Sequence, residues 1–171
     1  MLTDIGEFIV GAYLQIVEEC DVVDYNVRPP GGGLEGLGEL DVIGLNFKTN
    51  TAYFCEVTTH IRGLLYKNNQ ESISRVRKKY GRQKEYATRY KDNFQNHKFM
   101  FWSPYVPRGY LTSGLTEISG LELIINGEYK SRVDQLRTIA KTATHDARNP
   151  FFRMLQIMEN MKDWPVDKPS A

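Results

Sequence analysis

The chain has 171 residues, with 22 Lys and Arg against 21 Asp and Glu, for a formal net charge of +1. With 41% hydrophobic and 25% charged residues it has globular composition, which excludes a disordered chain, and the length fits one domain with a genuine core. No apolar run approaches the ~18 residues of a membrane span, so no membrane partner is expected.

The opening MLTDIGEF lacks the basic start of a signal peptide, and two cysteines, Cys20 and Cys55, make neither a disulfide scaffold nor a zinc site alone. A reduced, cytoplasmic protein is the expectation. The near-neutral total hides a segregation. Residues 1–59 carry ten acids and two bases, a net of −8, and residues 60–171 carry +9. Within Ser72–Lys91 there are eight bases and one acid, Glu85. An acidic part followed by a basic helix suggests a cation site beside a polyanion site.

In chain order, the first element reads as a helix capped by Thr3 or Asp4, with Ile5, Phe8, Ile9, Ala12, Tyr13, Ile16 and Val17 on a buried stripe. Val22–Arg28 reads as a strand stopped by Pro29 and Pro30, and Gly31–Gly38 as a glycine-rich loop. Glu39–Phe47 and Thr51–Thr59 are strands around a tight hairpin at Lys48-Thr49-Asn50. Asn68–Lys91 is a long polar helix, weakened by Gly81. Lys98–Val106 and Leu121–Ile125 are further strands, Tyr129–Ala147 and Phe151–Lys162 helices, and the end from Trp164 a frayed tail. The fold expected is therefore α/β (α+β): an α-β-β-β-α-β mixed sheet flanked by helices, with a β-α-α extension. It forms a single domain over residues 1–163, with the core at 3–106, the extension at 107–163 and a flexible tail at 164–171.

The hairpin carries the chemistry. With Thr49-Asn50 as a two-residue turn, Asp41 faces Thr58 and Ile43 faces Glu56, so Asp41, Glu56 and Thr58 share one face. Two neighbouring carboxylates repel unless a cation lies between them, and Mg²⁺ is a natural occupant. The alternative is a solvated face, or pairing with Lys or Arg. Glu56 interrupts an otherwise apolar strand, where an unpaired charge is expensive.

The run Gly38-Glu39-Leu40-Asp41-Val42-Ile43-Gly44, followed after the hairpin by Phe54-Cys55-Glu56-Val57-Thr58, resembles the PD-(D/E)XK nuclease superfamily. That superfamily includes restriction endonucleases, Holliday-junction resolvases and RecB-type exonuclease domains, and its core order matches residues 3–106. The resemblance implies a restriction-endonuclease-like core in which Asp41 and Glu56 bind Mg²⁺ (or Mn²⁺), and Glu7 completes the site. Gln83-Lys84-Glu85-Tyr86 is loosely similar to the Q-then-Y element of RecB-type members, with the tyrosine one residue early.

Where the family has a lysine two residues after the acid, this chain has Thr58, and a hydroxyl cannot supply that charge. The substitutes are His60, if the strand continues, or Lys67, Lys79 or Lys84 from the following helix. Otherwise the metal alone activates the water, or the activity is lost.

GGGLEG (Gly31–Gly36) matches G-x-G-x-x-G literally, but a strand follows it rather than a helix, so no nucleotide cofactor is expected. Arg75, Lys78, Lys79, Arg82 and Arg89 lie close on a helical spacing, and with Gln83 and Lys84 they form the expected phosphate-contacting set. Phe99, Phe101, Trp102, Tyr105 and Tyr110 are either base-stacking aromatics or a core strand and its edge. Phe151, Phe152, Leu155, Met158 and Met161 form an apolar stripe that packs in the core or supports a homodimer.

The expectation is a Mg²⁺-dependent DNA endonuclease of restriction or repair type. An inactive nuclease-fold DNA-binding or accessory subunit is the alternative, and an oligomeric protein-interaction module the third. The DNA structure recognised is not legible.

Overall fold

The first helix begins where the chain supplies its own cap. In the computed structural model, which describes residues 3–28, 38–64, 66–89 and 92–164, helix α1 spans Ile5–Ile16. Asp4 accepts from Gly6 N at 2.8 Å, and Glu7 accepts from Asp4 N at 3.0 Å, so two of the orphan N–H groups of the first turn are satisfied. The run Gly31–Gly36, Pro29, Pro30, Lys91 and residues 165–171 lie outside the described residues.

Strands β1 (Val22–Val27), β2 (Leu40–Asn46) and β3 (Thr51–Val57) form an antiparallel meander. Helix α2 (Asn69–Thr88) crosses to β4 (Asn96–Ser103), which runs parallel to β3. Helix α3 (Tyr110–Thr116) leads to β5 (Glu122–Ile125), parallel to β4. The chain closes with α4 (Gly127–Ala140), α5 (Pro150–Asn160) and a 3₁₀ turn, Met161–Asp163. The result is an α/β protein with one five-stranded mixed sheet in the order β1-β2-β3-β4-β5. No helix among the described residues is long and apolar enough to cross a membrane.

Alternation along the strands divides the core between two faces. Val42, Tyr53, Cys55, Met100 and Trp102 pack with Val10, Tyr13 and Leu14 of α1, Leu136 of α4 and Phe152 of α5. On the opposite face, Ile43 and Phe54 meet Tyr86 and Ala87, while Phe101 meets Ile73, Val76, Leu111 and Leu115. Helix α2 thus covers the face that carries Asp41 and Glu56.

The hairpin differs from the expected two-residue turn. Asn46 pairs with Thr51, so the loop is Phe47–Asn50, four residues long. Buried Asn46 sets this geometry: its Oδ1 accepts from Thr49 N at 2.8 Å, and its Nδ2 donates to Glu18 O at 2.9 Å. Asn50 takes φ +52°, a conformation asparagine tolerates. The register is therefore displaced by two residues, which leaves every side chain on its expected face. Continued one step past Val42–Cys55, it sets Asp41 opposite Glu56 rather than opposite Thr58.

Two helices also differ. Helix α3 falls in a stretch for which no element was expected, since Thr112, Ser113 and Gly114 are poor helix formers; burial of Leu111 and Leu115 holds it. Helix α4 stops at Ala140 rather than Ala147. Ala147 and Arg148 take φ +54°, and buried Gln156 donates to Ala143 O and His145 O instead of letting the helix continue.

Candidate active site

Three charged side chains converge on the α2 face of the hairpin. Lys79 Nζ lies 2.6 Å from Glu56 Oε2 and 3.6 Å from Asp41 Oδ2. Asp41 Oδ2 also accepts from Val57 N at 2.6 Å, which ties the acid of one strand to the end of the next.

Glu56 is 1% exposed, and its Oε1 has no hydrogen-bond partner. Burial raises its carboxyl to about 7; Lys79 opposes the rise and Asp41 adds to it. For Lys79, burial favours the neutral amine, but Glu56 and Asp41 outweigh it and hold the ammonium above its ordinary range.

The periodicity of α2 explains why Lys79 points inward. Ser72, Ile73, Val76, Gln83, Tyr86 and Ala87 are its buried positions, and Lys79 fills the gap between Val76 and Gln83 on the same stripe. A hydrophobic residue is the usual occupant of such a position. A lysine there, facing two strand carboxylates, is the signal that the sequence offered and that grouping all the bases on one face obscured.

Thr58 lies buried at the position where a lysine was missing, and its Oγ1 has no partner. His60 does not extend the strand face: β3 ends at Val57, and the exposed imidazole packs edge-on against Tyr66 at 5.6 Å. Lys67 is exposed, ahead of α2. Lys84 is exposed too, its ammonium 4.6 Å from the Tyr80 ring.

Glu7 is buried, but its Oε2 is engaged by Asp4 N and by Asn26 Nδ2 at 2.8 Å. Burial raises its carboxyl, those two hydrogen bonds oppose the rise, and the charge of Asp41 adds to it. Among the described residues no three His, Cys, Asp or Glu side chains form a metal-holding group, so Glu7 does not join Asp41 and Glu56 in one cluster.

The basic helix divides by direction. Tyr66, Arg75, Lys78, Lys79 and Arg82 line a groove of about 250 Å³. Arg75 lies over the Tyr66 ring at 4.3 Å and pairs with Glu71 at 2.9 Å, and Arg82 reaches Glu39 O at 3.4 Å. Lys79 belongs both to this groove and to the acid pair, so the two features are one continuous site.

Gln83, expected on the phosphate side, is wholly buried. Its amide donates to Phe54 O at 3.0 Å and Met100 O at 2.7 Å, clamping β3 and β4 beneath α2. Arg89, the residue after α2, and Lys84 stand outside the groove lining. Phe101 and Trp102 are core, while Tyr105 and Tyr110 are exposed. Met158 and Met161 are exposed as well, whereas Phe152 and Leu155 pack inward.

The donor chemistry fits a small hard cation. Mg²⁺ is held by one or two carboxylates with water and phosphate oxygens completing its shell. Asp41 and Glu56 supply the carboxylates, and the unpartnered Oε1 of Glu56 is a buried acceptor awaiting a ligand. Comparison of the chain with protein-family models, with curated proteins and with solved structures returns no match.

Proposed function

We propose that the protein is a metal-dependent DNA endonuclease of the PD-(D/E)XK type, with a restriction-endonuclease-like core in residues 3–106. The observation that carries this reading is Lys79, 2.6 Å from Glu56 and 3.6 Å from Asp41. The ammonium that the strand lacks at Thr58 is delivered from α2 to the same two acids. Asp41 and Glu56 would hold Mg²⁺, which polarises a phosphate oxygen and lowers the pKa of a bound water.

The chain's own groups divide the remaining tasks. Lys79 holds Glu56 in position through one N–H and has two further donors for a water or a phosphate oxygen. Arg75, Lys78 and Arg82 bind the flanking phosphates along the groove, fixing register without reading bases. Asn26 and the helix cap hold the Glu7 carboxyl in place, apart from the acid pair.

The test is conversion of supercoiled plasmid to nicked or linear DNA with Mg²⁺ or Mn²⁺. Asp41→Asn and Glu56→Gln should each abolish it and Lys79→Met should slow it severely; cleavage at the wild-type rate in all three refutes the reading. One observation favours the second reading, a DNA-binding subunit without cleavage. Lys79 already neutralises buried Glu56, so the trio is a self-sufficient ion cluster. That reading requires salt-dependent DNA binding with no cleavage in either metal.

A further inference from the structure

The turn that follows β3 is fixed at both ends. Thr58 N donates to Trp102 O at 2.9 Å, and Leu64 N to Tyr105 O at 3.0 Å, with Leu64 fully buried. Between them Gly63 N donates to His60 O at 3.1 Å, closing a tight turn over His60–Gly63. Gly63 takes φ +110°, and a Cβ there would press on the Tyr105 ring at 3.1 Å and Pro107 at 3.3 Å, so glycine is required.

At the tip of this braced turn stands Ile61. It is 85% exposed, the highest value among the large hydrophobic side chains described. Arg62 beside it is exposed too. Core packing does not explain an isoleucine so placed, and one side chain is far too small an area for a stable protein interface.

Its neighbour His60 links the turn to the basic groove. The His60 ring abuts Tyr66, which lines the groove with Arg75, Lys78, Lys79 and Arg82. The tip lies five residues beyond Glu56 along the chain. An apolar side chain on a rigid mount beside a phosphate-binding groove is the arrangement by which proteins wedge open a base step.

We propose that Ile61 enters the base stack of bound DNA, and that the substrate is a duplex whose stacking is already interrupted, at a mismatch, nick or branch. This rests on the nuclease reading above. Unstacking an intact step costs several kcal/mol, whereas a broken stack has lost most of that barrier, so a single wedge selects the damaged or branched site.

The experiment compares binding of the full chain, in EDTA, to an intact duplex and to one with a central mismatch flanked by 2-aminopurine. The mismatched duplex should bind about tenfold tighter, the lower end of what burying an isoleucine is worth, with a rise in 2-aminopurine fluorescence. Ile61→Ser should bring the two affinities together and remove the fluorescence change. Ile61→Leu should keep both. An unchanged preference in Ile61→Ser, or none in the wild type, overturns the wedge alone. If neither duplex binds in a salt-dependent way, the nuclease reading fails along with it. If Ile61→Ser instead alters only the sedimentation of the protein, Ile61 is a protein contact and the wedge is wrong.

Discussion

Replacing Glu56 by glutamine should stabilise the metal-free protein, and by an amount that depends on pH. The carboxyl is raised from an ordinary 4.5 to about 7, chiefly by burial. The native state therefore binds this proton more tightly than the unfolded chain does. Its contribution is fully present below pH 4.5 and is lost as pH rises towards 7, beyond which it stays lost. A shift of this size corresponds to roughly 3 kcal/mol at pH 8, most of which develops between pH 5 and pH 8.

The substituted amide cannot ionise, yet its oxygen can still accept from Lys79. The stability gap between Glu56→Gln and wild type should therefore widen by roughly 2–3 kcal/mol from pH 5 to pH 8, or about 5–10 °C in Tm for a chain of this size. Urea melts in EDTA across that range measure it directly. A gap that stays flat would show that the carboxyl titrates normally and that burial does not shift it. Magnesium reverses the sign. An ion at a hundred times its Kd stabilises the native state by about 2.7 kcal/mol, and Glu56→Gln should lose that gain. If the variant keeps the full magnesium shift, Glu56 is not a ligand.

Lys79→Met should reduce plasmid cleavage by about 10²–10³-fold, the usual loss when one preorganised charge-stabilising donor is removed, while DNA binding falls far less. Adding Thr58→Lys to that variant should restore part of the rate if an ammonium two residues beyond Glu56 can replace the one from the helix; a double variant no faster than Lys79→Met refutes the equivalence. Lys78→Ala and Arg82→Ala should each lower the slope of log Kd against log salt by about 0.9, in filter binding or fluorescence anisotropy, and unchanged slopes would place the phosphates elsewhere. Gln83→Leu removes the amide's two hydrogen bonds, to Phe54 O and Met100 O, so thermal melts should show a loss of about 1–3 kcal/mol.

The element order as far as β4 and the shared face of Asp41 and Glu56 were legible because the hydrophobic periodicity of strands and helices is a local signal. That signal survived a wrong turn length, since a displacement of two residues preserves parity. The turn length itself depended on Asn46, whose side chain reaches Glu18 O and Glu19 O, contacts about 28 residues distant that local pattern does not encode. For Glu7 the sequence placed an acid on the right helix. The Asn26 partner that engages it comes from β1, where φ +52° interrupts the strand. The bases of α2 were legible as a cationic run but not by direction. Sorting them required the stripe of Ile73, Val76 and Tyr86 as a phase reference, against which Lys79 and Gln83 point in and Lys78 points out.

That phase explains how the acidic part of the chain and the basic helix depend on one another. Asp41 and Glu56 lie on adjacent strands, one of them almost wholly sequestered from water. Without a counter-charge, the desolvation of Glu56 and the repulsion of Asp41 would drive its proton on and leave a neutral acid, useless as a ligand for a cation at neutral pH. Lys79 holds the Glu56 carboxyl at about 7, near the point where it can be either neutral or charged. A cation arriving at the unpartnered Oε1 would complete the ionisation. The same ammonium lines the basic groove of Arg75, Lys78 and Arg82, so one side chain joins the acid pair to the cationic surface.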